Sequence, residues 1–396
     1  MSTENAGTGL RVAIVGAGMG GLGAAIAMRK LGLNPTIYEQ AHDFARIGAG
    51  IHVAANAVNA LTGLGITDEV LAEKAFVNTT TTHRDSASGE VTGTIDHGAA
   101  SVREYGAPYT TWHRGDLHAA LHALVPQDII QRGRKVVGAE SSANGATLTF
   151  EDGSAASADV VIAADGVHSP TRAALFEVNP PRFTQRLAYR SIVEVGKVGD
   201  PDLDESCKWW GPDRHLVHYY VSSGREIGFT TSVPETEWDV ESWSAVGDVE
   251  VLRAEFAQFH PRVRNILDAV ERVNIWAINA HDPMSTWVAG NVVLIGDACH
   301  TVTPYMGQGA ALAIEDGVVL ARLLARLGGD RSGIPEALSR FEELRRPRTT
   351  RVQVLSEANT WGRYGANVGW LYGYNAWNVD LDGAPAASDD PISTDH

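Results

Sequence analysis

Cysteine is nearly absent: the 396 residues hold only Cys207 and Cys299. Two cysteines give no disulfide framework, and the lack of any CxxC spacing argues against a zinc site. Basic residues are also scarce, 32 Lys and Arg against 48 Asp and Glu, for a formal net charge of -16. A nucleic acid or an anionic membrane surface needs a dense basic face, so neither is expected as a partner. No run of about 18 apolar residues occurs, which leaves no membrane-spanning helix. The opening residues, Met1-Ser2-Thr3-Glu4-Asn5, have neither the basic nor the apolar region of a secretion signal. A reducing cytoplasm is the expected location. At about 100–200 residues per domain the length predicts two or three domains, and the 44% hydrophobic content is enough for a sizeable core.

The first periodic signal is an apolar strand, Arg11-Val12-Ala13-Ile14-Val15, that runs into Gly16-Ala17-Gly18-Met19-Gly20-Gly21. A helix to Lys30-Leu31 follows, with Gly32 as its stop, and then a second strand over Thr36-Ile37-Tyr38 that ends at Glu39. This is a βαβ unit and implies a parallel sheet. Two more buried strands end in acidic turns, 159–164 at Asp165-Gly166 and 291–295 at Gly296-Asp297. A helix is expected from Gln308 to about Leu327, and a longer one from Ile334 to Asn359 with a kink at Pro347. Between 182 and 282 the texture changes to short alternating segments such as 215–221, which read as antiparallel strands. The resulting fold class is α/β: a Rossmann-like nucleotide domain (10–181 and 283–380, the latter with carboxyl-terminal helices), an inserted, mostly antiparallel sheet domain for substrate (182–282), and a disordered acidic tail (381–396).

Gly16, Gly18 and Gly21 have GxGxxG spacing, with Gly20 inside the same turn. The first glycine permits the turn, the second lets backbone approach a pyrophosphate, and the third lets the helix pack on the strand. The helix start offers free N–H groups to phosphates. Glu39 stands 18 residues past Gly21, where a carboxylate accepts both ribose hydroxyls of an adenosine. Dinucleotide binding follows, but NAD and FAD are not separated by this pattern.

The later motifs separate them by resemblance. Asp165-Gly166-Val167-His168-Ser169 with Arg172 resembles the "DG" segment of the single-component FAD-dependent aromatic hydroxylases, the class A flavoprotein monooxygenases. Gly296-Asp297-Ala298-Cys299-His300, then Pro304 and Gly307-Gln308-Gly309-Ala310, resembles their "GD" segment. Residues 46–52 and 112–118 match two further FAD-binding segments, and the resemblance spans 10–360. It implies that Asp165, Asp297, Gly309 and Ala310 join Gly16, Gly18, Gly20, Gly21 and Glu39 in holding FAD. Arg46 and Arg114 read as cations for the diphosphate, since a guanidinium binds oxyanions bidentately. Within the family, the chain most resembles the enzymes acting on 6-hydroxynicotinate, through 48–52, 103–107, Lys208-Trp209-Trp210, Asp213-Arg214-His215, Tyr219-Tyr220, 358–361 and 372–374. There the positions of His52, His215 and Tyr219 line the substrate side of the flavin. Strand positions 215 and 219 share a face, which supports one pocket. Two departures stand out: Tyr305 replaces a family histidine and carries no positive charge, and Ser206 takes the place of a family cysteine.

The resemblance implies that NADH or NADPH reduces FAD and that a flavin hydroperoxide transfers oxygen to an electron-rich ring. The expected substrate is a hydroxylated aromatic or N-heteroaromatic carboxylate, with loss of CO2 when the attacked carbon bears the carboxylate. His52, His215 and Tyr219 are the catalytic candidates: Tyr219, relayed to His215, takes the ring hydroxyl proton while His52 positions the ring. Trp209 and Tyr305 complete the substrate-binding set. A salicylate- or hydroxybenzoate-type hydroxylase is the alternative. A dehydrogenase, which would be colourless, and a non-hydroxylating flavin binder are less favoured. No second GxGxxG serves the pyridine nucleotide, which is expected on a surface groove beside the flavin; a monomer or homodimer fits equally. No metal is expected at His113, His118 and His122, Cys299-His300 reads as a packed turn, and most of Trp209, Trp210, Trp238 and Trp243 as packing, with one or two walling the substrate pocket.

Overall fold

The structure, a computed structural model, describes residues 9–46, 49–177, 179–238, 245–359 and 369–384. Of the residues singled out above, Ile47, Gly48, Trp243, Thr360, Trp361 and the tail from 385 onward lie outside them.

The first strand, Arg11–Val15, pairs in parallel with Asn34–Glu39 on one side and Val160–Ala163 on the other. Ile130–Arg132 extends the sheet beyond the second strand, and Val292–Leu294 extends it beyond Val160–Ala163. A short antiparallel edge, Val288–Ala289, completes six strands. Both faces are covered, which explains the uninterrupted apolar runs. Val12, Ile14, Val160 and Ile162 face the layer that holds the helices Met19–Lys30 and Gly309–Ala325. Ala13, Val15 and Val161 face a three-stranded antiparallel sheet through Leu148 and Phe150. The carboxyl ends of the parallel strands, followed by Gly16, Ala164 and Ile295, open on one crevice.

The second large sheet has eight strands, and Arg182–Glu194, Ser206–Trp210, His215–Val221, Glu226–Pro234 and Val273–Ala280 form its centre. Its far edge is not within 182–282. Thr80–Asp85 pairs in parallel with Ser206–Trp210, and Val91–Asp96 pairs with Thr80–Asp85. The stretch 80–96, read above as nucleotide domain, is thus part of the eight-stranded sheet. One face of this sheet carries the helices Val249–Glu255 and Pro261–Asp268, packing Leu252, Phe256, Val263, Ile266 and Leu267 onto Trp209, Leu216, Ile227 and Phe229. The opposite face looks toward the crevice.

The Gly309–Ala325 helix carries two adjacent acids, Glu315 and Asp316, both fully buried. Arg345 donates to both, at 2.7 Å each, and Arg348 donates to Glu315 at 2.9 Å. Both arginines lie on the Ile334–Ala358 helix, which stays helical through Pro347. Beyond the short helix Gly369–Tyr372, Leu381 is buried and its carbonyl accepts from Arg340 at 2.7 Å. The ordered chain therefore continues past residue 381, the start expected for the tail. No helix among the described residues is long and apolar enough to cross a membrane.

Candidate active site

The crevice at the carboxyl ends of the parallel strands is a cavity of about 1430 Å³. Gly18 and Gly20 line one end, Arg114 the middle, and Asp297, Gly309 and Ala310 the wall made by the 296–310 loop. Gly16 adopts φ +94°, and a methyl on Gly21 would overlap the Gly16 carbonyl oxygen, so the turn closes only around glycine. Asp297 lies in this wall, and burial raises its carboxyl above the ordinary range. Gly296 N–H donates to Asp316 at 3.0 Å, which ties the loop to the buried ion network. His300 also turns to Asp316, at 2.5 Å. Burial pushes Asp316 up, yet His300 and Arg345 outweigh it and hold the carboxyl near 2.

A second cavity, of about 830 Å³, adjoins the first and shares His52, Thr230, Pro304 and Gly307 with it. Its floor is the open face of the eight-stranded sheet. Strand register sets Thr230, Val217, Lys208 and His83 side by side in one row, with Ser206 and Thr81 in the next. Its roof is His52, His97, Tyr109, Tyr305, Met306 and Tyr372. Lys208 is the one lysine or arginine among the lining residues, which include no Asp or Glu. Its ammonium sits 3.8 Å from the centre of the Trp210 ring. Ser206 is fully buried, and its Oγ has no hydrogen-bond partner among the described residues.

Where the two cavities meet, His52 lies against the Tyr219 ring, with centroids 4.1 Å apart. Gly50, two residues before His52 on the same strand face, leaves the room that ring occupies: a methyl there would clash with Tyr219. His52 Nδ1 and the Tyr109 hydroxyl share a 3.0 Å hydrogen bond, and His97 stacks on Tyr109 at 4.1 Å. Burial lowers His52 to about 3 and His97 to about 4, and it raises the Tyr219 phenol.

Comparison with known proteins decides what this architecture is. A model of the FAD binding domain family matches residues 9–356. The 6-hydroxynicotinate 3-monooxygenase of Pseudomonas fluorescens is 38% identical over 374 residues, covering 94% of this chain and 96% of that protein. The chain belongs to the FAD-dependent aromatic monooxygenases. Among solved structures, a salicylate hydroxylase substrate complex superposes with a TM-score of 0.80 at 27% identity, covering 94% of this chain and 96% of the other. Klebsiella pneumoniae HpxO, complexed with FAD and uric acid, gives 0.79 at 29% identity and covers 90% of each chain.

The residues of this flavoprotein fit FAD on independent grounds. The glycine turn admits backbone to a pyrophosphate, and Asp165 Oδ1 is buried with no hydrogen-bond partner among the described residues, an acceptor beside Gly166 of the cleft. Gly18, Gly20, Arg114, Asp297, Gly309 and Ala310 line the cleft directly, while Gly16 and Gly21 shape its turn. Glu39 stands at the end of its strand and accepts from the N–H groups of Ala17 and Ala41, each at 2.7 Å. Arg46 is placed differently from the diphosphate role expected of it. Asp116 holds its guanidinium at 2.7 and 3.0 Å and Glu226 at 2.7 Å, at the surface and outside the residues that line the cleft. Two carboxylates satisfy that cation.

On the substrate side, His52, His215 and Tyr305 line the inner cavity, whereas Tyr219 faces the flavin cleft. His215 and Tyr219 share the strand face as expected, but Val217 separates them and Tyr219 packs on His52 instead. A relay from Tyr219 to His215 is therefore replaced by contact with His52. Trp209 is not in the pocket: it points to the opposite face, fully buried, with Nε1 donating to His218 Nδ1 at 3.1 Å and its ring stacked on His260. The pocket face of that strand belongs to Ser206 and Lys208, which alternate with the core-facing Cys207 and Trp209. Sequence reasoning missed Lys208, His83, His97 and Tyr109. The period-2 pattern of 206–210 could have exposed Lys208, because placing Trp209 in the core turns its neighbours to the pocket. Trp238 packs on the core of the substrate sheet.

Proposed function

We propose that this monooxygenase hydroxylates a ring bearing both a hydroxyl and a carboxylate, a 6-hydroxynicotinate-type acid, with FAD as resident cofactor and NADH or NADPH as donor. One observation carries the reading: a ring-sized cavity against the flavin cleft that holds one ammonium, Lys208, and no acid. A buried site with that charge balance favours an anion. Ser206 Oγ and Lys208 Nζ, two residues apart on one strand face, suit the two oxygens of a carboxylate. When bound, FAD supplies the two-electron chemistry that joins a pyridine nucleotide's hydride to activation of O2. The residues then orient the ring and manage its hydroxyl proton. Tyr219 stays a neutral phenol, since burial raises it, and offers a hydrogen bond at the flavin edge. His52 is neutral because burial disfavours its cation, and its hydrogen bond with Tyr109 fixes the ring's orientation. Tyr219 and His52, packed ring on ring at this edge, are the neutral polar groups placed to hydrogen-bond the ring hydroxyl. His215 and Tyr305 hold the ring from the other side. If the attacked carbon bears the carboxylate, loss of CO2 restores aromaticity.

Tyr305 gives a hydroxybenzoate or salicylate substrate a second claim. Its hydroxyl lies 3.2 Å from Ser232 Oγ, so it supplies a neutral contact to the ring where a charged one would select a pyridine. For the reductant, a cleft of about 1340 Å³ behind residues 301–304 shares Trp276 with the flavin cavity and presents His168, Arg172 and His281. The Arg172 guanidinium in that cleft suits a pyridine nucleotide's phosphates. Two buried free cysteines support a cytoplasmic setting.

The test is NADH and NADPH oxidation by the yellow holoenzyme against 6-hydroxynicotinate, 3-hydroxybenzoate and salicylate, with product identification and CO2 release. Oxidation coupled to a hydroxylated product from at least one acid is expected. Peroxide release without product for every acid would remove the reading.

A further inference from the structure

The inner cavity has a neighbour on its solvent side. A cleft of about 1150 Å³ is bounded by Arg182, Arg186, Arg214 and Trp210, and it shares His215 and Tyr305 with the inner cavity. These two rings, with centroids 5.8 Å apart and planes at 60°, form the partition between the two spaces. The three guanidiniums are not equivalent. Arg182 pairs with Glu357, and Arg214 with Asp213 and Glu255. Arg186 donates only to neutral oxygens among the described residues: Nε to Ser232 Oγ at 2.9 Å and Nη2 to the Ser232 carbonyl at 3.0 Å. Asp213, Glu255 and Glu357 match the three guanidiniums in number, so what sets Arg186 apart is that no carboxylate holds it among the described residues; Ser232 Oγ in turn lies 3.2 Å from the Tyr305 hydroxyl, which wires Arg186 to the partition.

The backbone around Arg186 is built for that placement. The pairing of Arg182–Glu194 with Val273–Ala280 shifts register between Phe183 and Leu187, and Gln185 takes φ 56°. A non-glycine residue in the left-handed region is strained, and such bulges re-aim side chains beside functional sites. Net charge supplies the need. At -16 the whole molecule repels an organic anion, so arrival of one depends on a local field of opposite sign.

We propose that this cleft is an antechamber for the anionic substrate, in which Arg186 collects an aromatic carboxylate and delivers it between His215 and Tyr305 to the inner cavity. The inference rests on the reading of an anionic ring substrate given above. It assigns Arg186 to capture, not to the chemical step, so association should feel its charge and turnover should not.

The test is stopped-flow mixing of holoenzyme with 6-hydroxynicotinate, following the flavin absorbance change, for wild type, Arg186→Met and Arg186→Lys. One charge acting at about 6 Å through a water-like medium changes association about three-fold. Arg186→Met is expected to lose that factor at low salt and to match wild type in about 1 M salt, where the Debye length is about 3 Å. Arg186→Lys should restore the low-salt rate, kcat should stay constant in all three, and association of the uncharged carboxamide should be the same in all three. An unchanged rate and salt slope in Arg186→Met would overturn the proposal. So would an equal slowing for the carboxamide, or a failure of Arg186→Lys to recover, since both point to altered packing. Failure of the underlying substrate reading shows separately, as no flavin response of wild type to any aromatic acid, and it takes the antechamber with it.

Discussion

Replacing Lys208 by methionine removes the charge of the inner cavity while keeping most of the stem that packs along Trp210. A hydrogen bond to a charged group contributes about 1.5–3 kcal/mol. At about 1.4 kcal/mol per tenfold, an aromatic carboxylate should bind about 10- to 150-fold more weakly to Lys208→Met. His83 modulates this figure. Its pKa is lowered by burial and then by the Lys208 charge, so removing the ammonium lets His83 protonate more readily and replace part of the lost field. The comparison therefore belongs above neutral pH, where that compensation is absent. The assay is titration of the holoenzyme's flavin absorbance with 6-hydroxynicotinate or 3-hydroxybenzoate, beside the matching carboxamide. The acid should lose affinity and the amide should not. Equal affinity for the acid in both proteins refutes the assignment, and parallel losses for acid and amide would mean that the methionine has merely distorted the sheet.

Gly21→Ala should abolish stable FAD retention, because the new methyl overlaps the Gly16 carbonyl at the turn; purified protein with full yellow colour would contradict this. Arg345→Met leaves buried Glu315 with Arg348 as its remaining cation and buried Asp316 with His300, at a cost of about 3–5 kcal/mol. At about 2 °C per kcal/mol the melting temperature should fall by roughly 6–10 °C, and a fall under about 2 °C would show that the network is dispensable. His218 accepts from Trp209 through Nδ1 and is held near 4 by burial, so the unfolded chain binds a proton that the native one refuses. Between pH about 6.5 and 4 the native state should therefore lose stability on acidification, by about 3 kcal/mol for this histidine alone. Urea unfolding of wild type and His218→Phe across that window should show a shallower slope in the variant; identical slopes would assign the acid sensitivity to other groups.

The nucleotide half of the molecule was legible because its determinants are local. Gly16 to Glu39 form one continuous unit, and each downstream acid, Asp165 and Asp297, follows its own apolar strand, so pattern and position coincide. The substrate half is assembled otherwise. His83 and Thr81 come from a strand more than a hundred residues before Lys208, joined to it by a parallel pairing that no hairpin signal announces. His97, Tyr109 and Tyr372 close the roof from three further places in the chain. Arg46 and Trp209 misled for a related reason. Residue type suggested a ligand for each, but what decided their roles was a distant partner: Glu226 for the arginine and His218 with His260 for the indole. The same logic explains why specificity is the harder property to read. In this family the flavin cleft is fixed by short motifs, whereas the ring's environment is set by register across the eight-stranded sheet, where a slip of one residue would exchange Lys208 for Trp209 and turn a charged pocket into an apolar one.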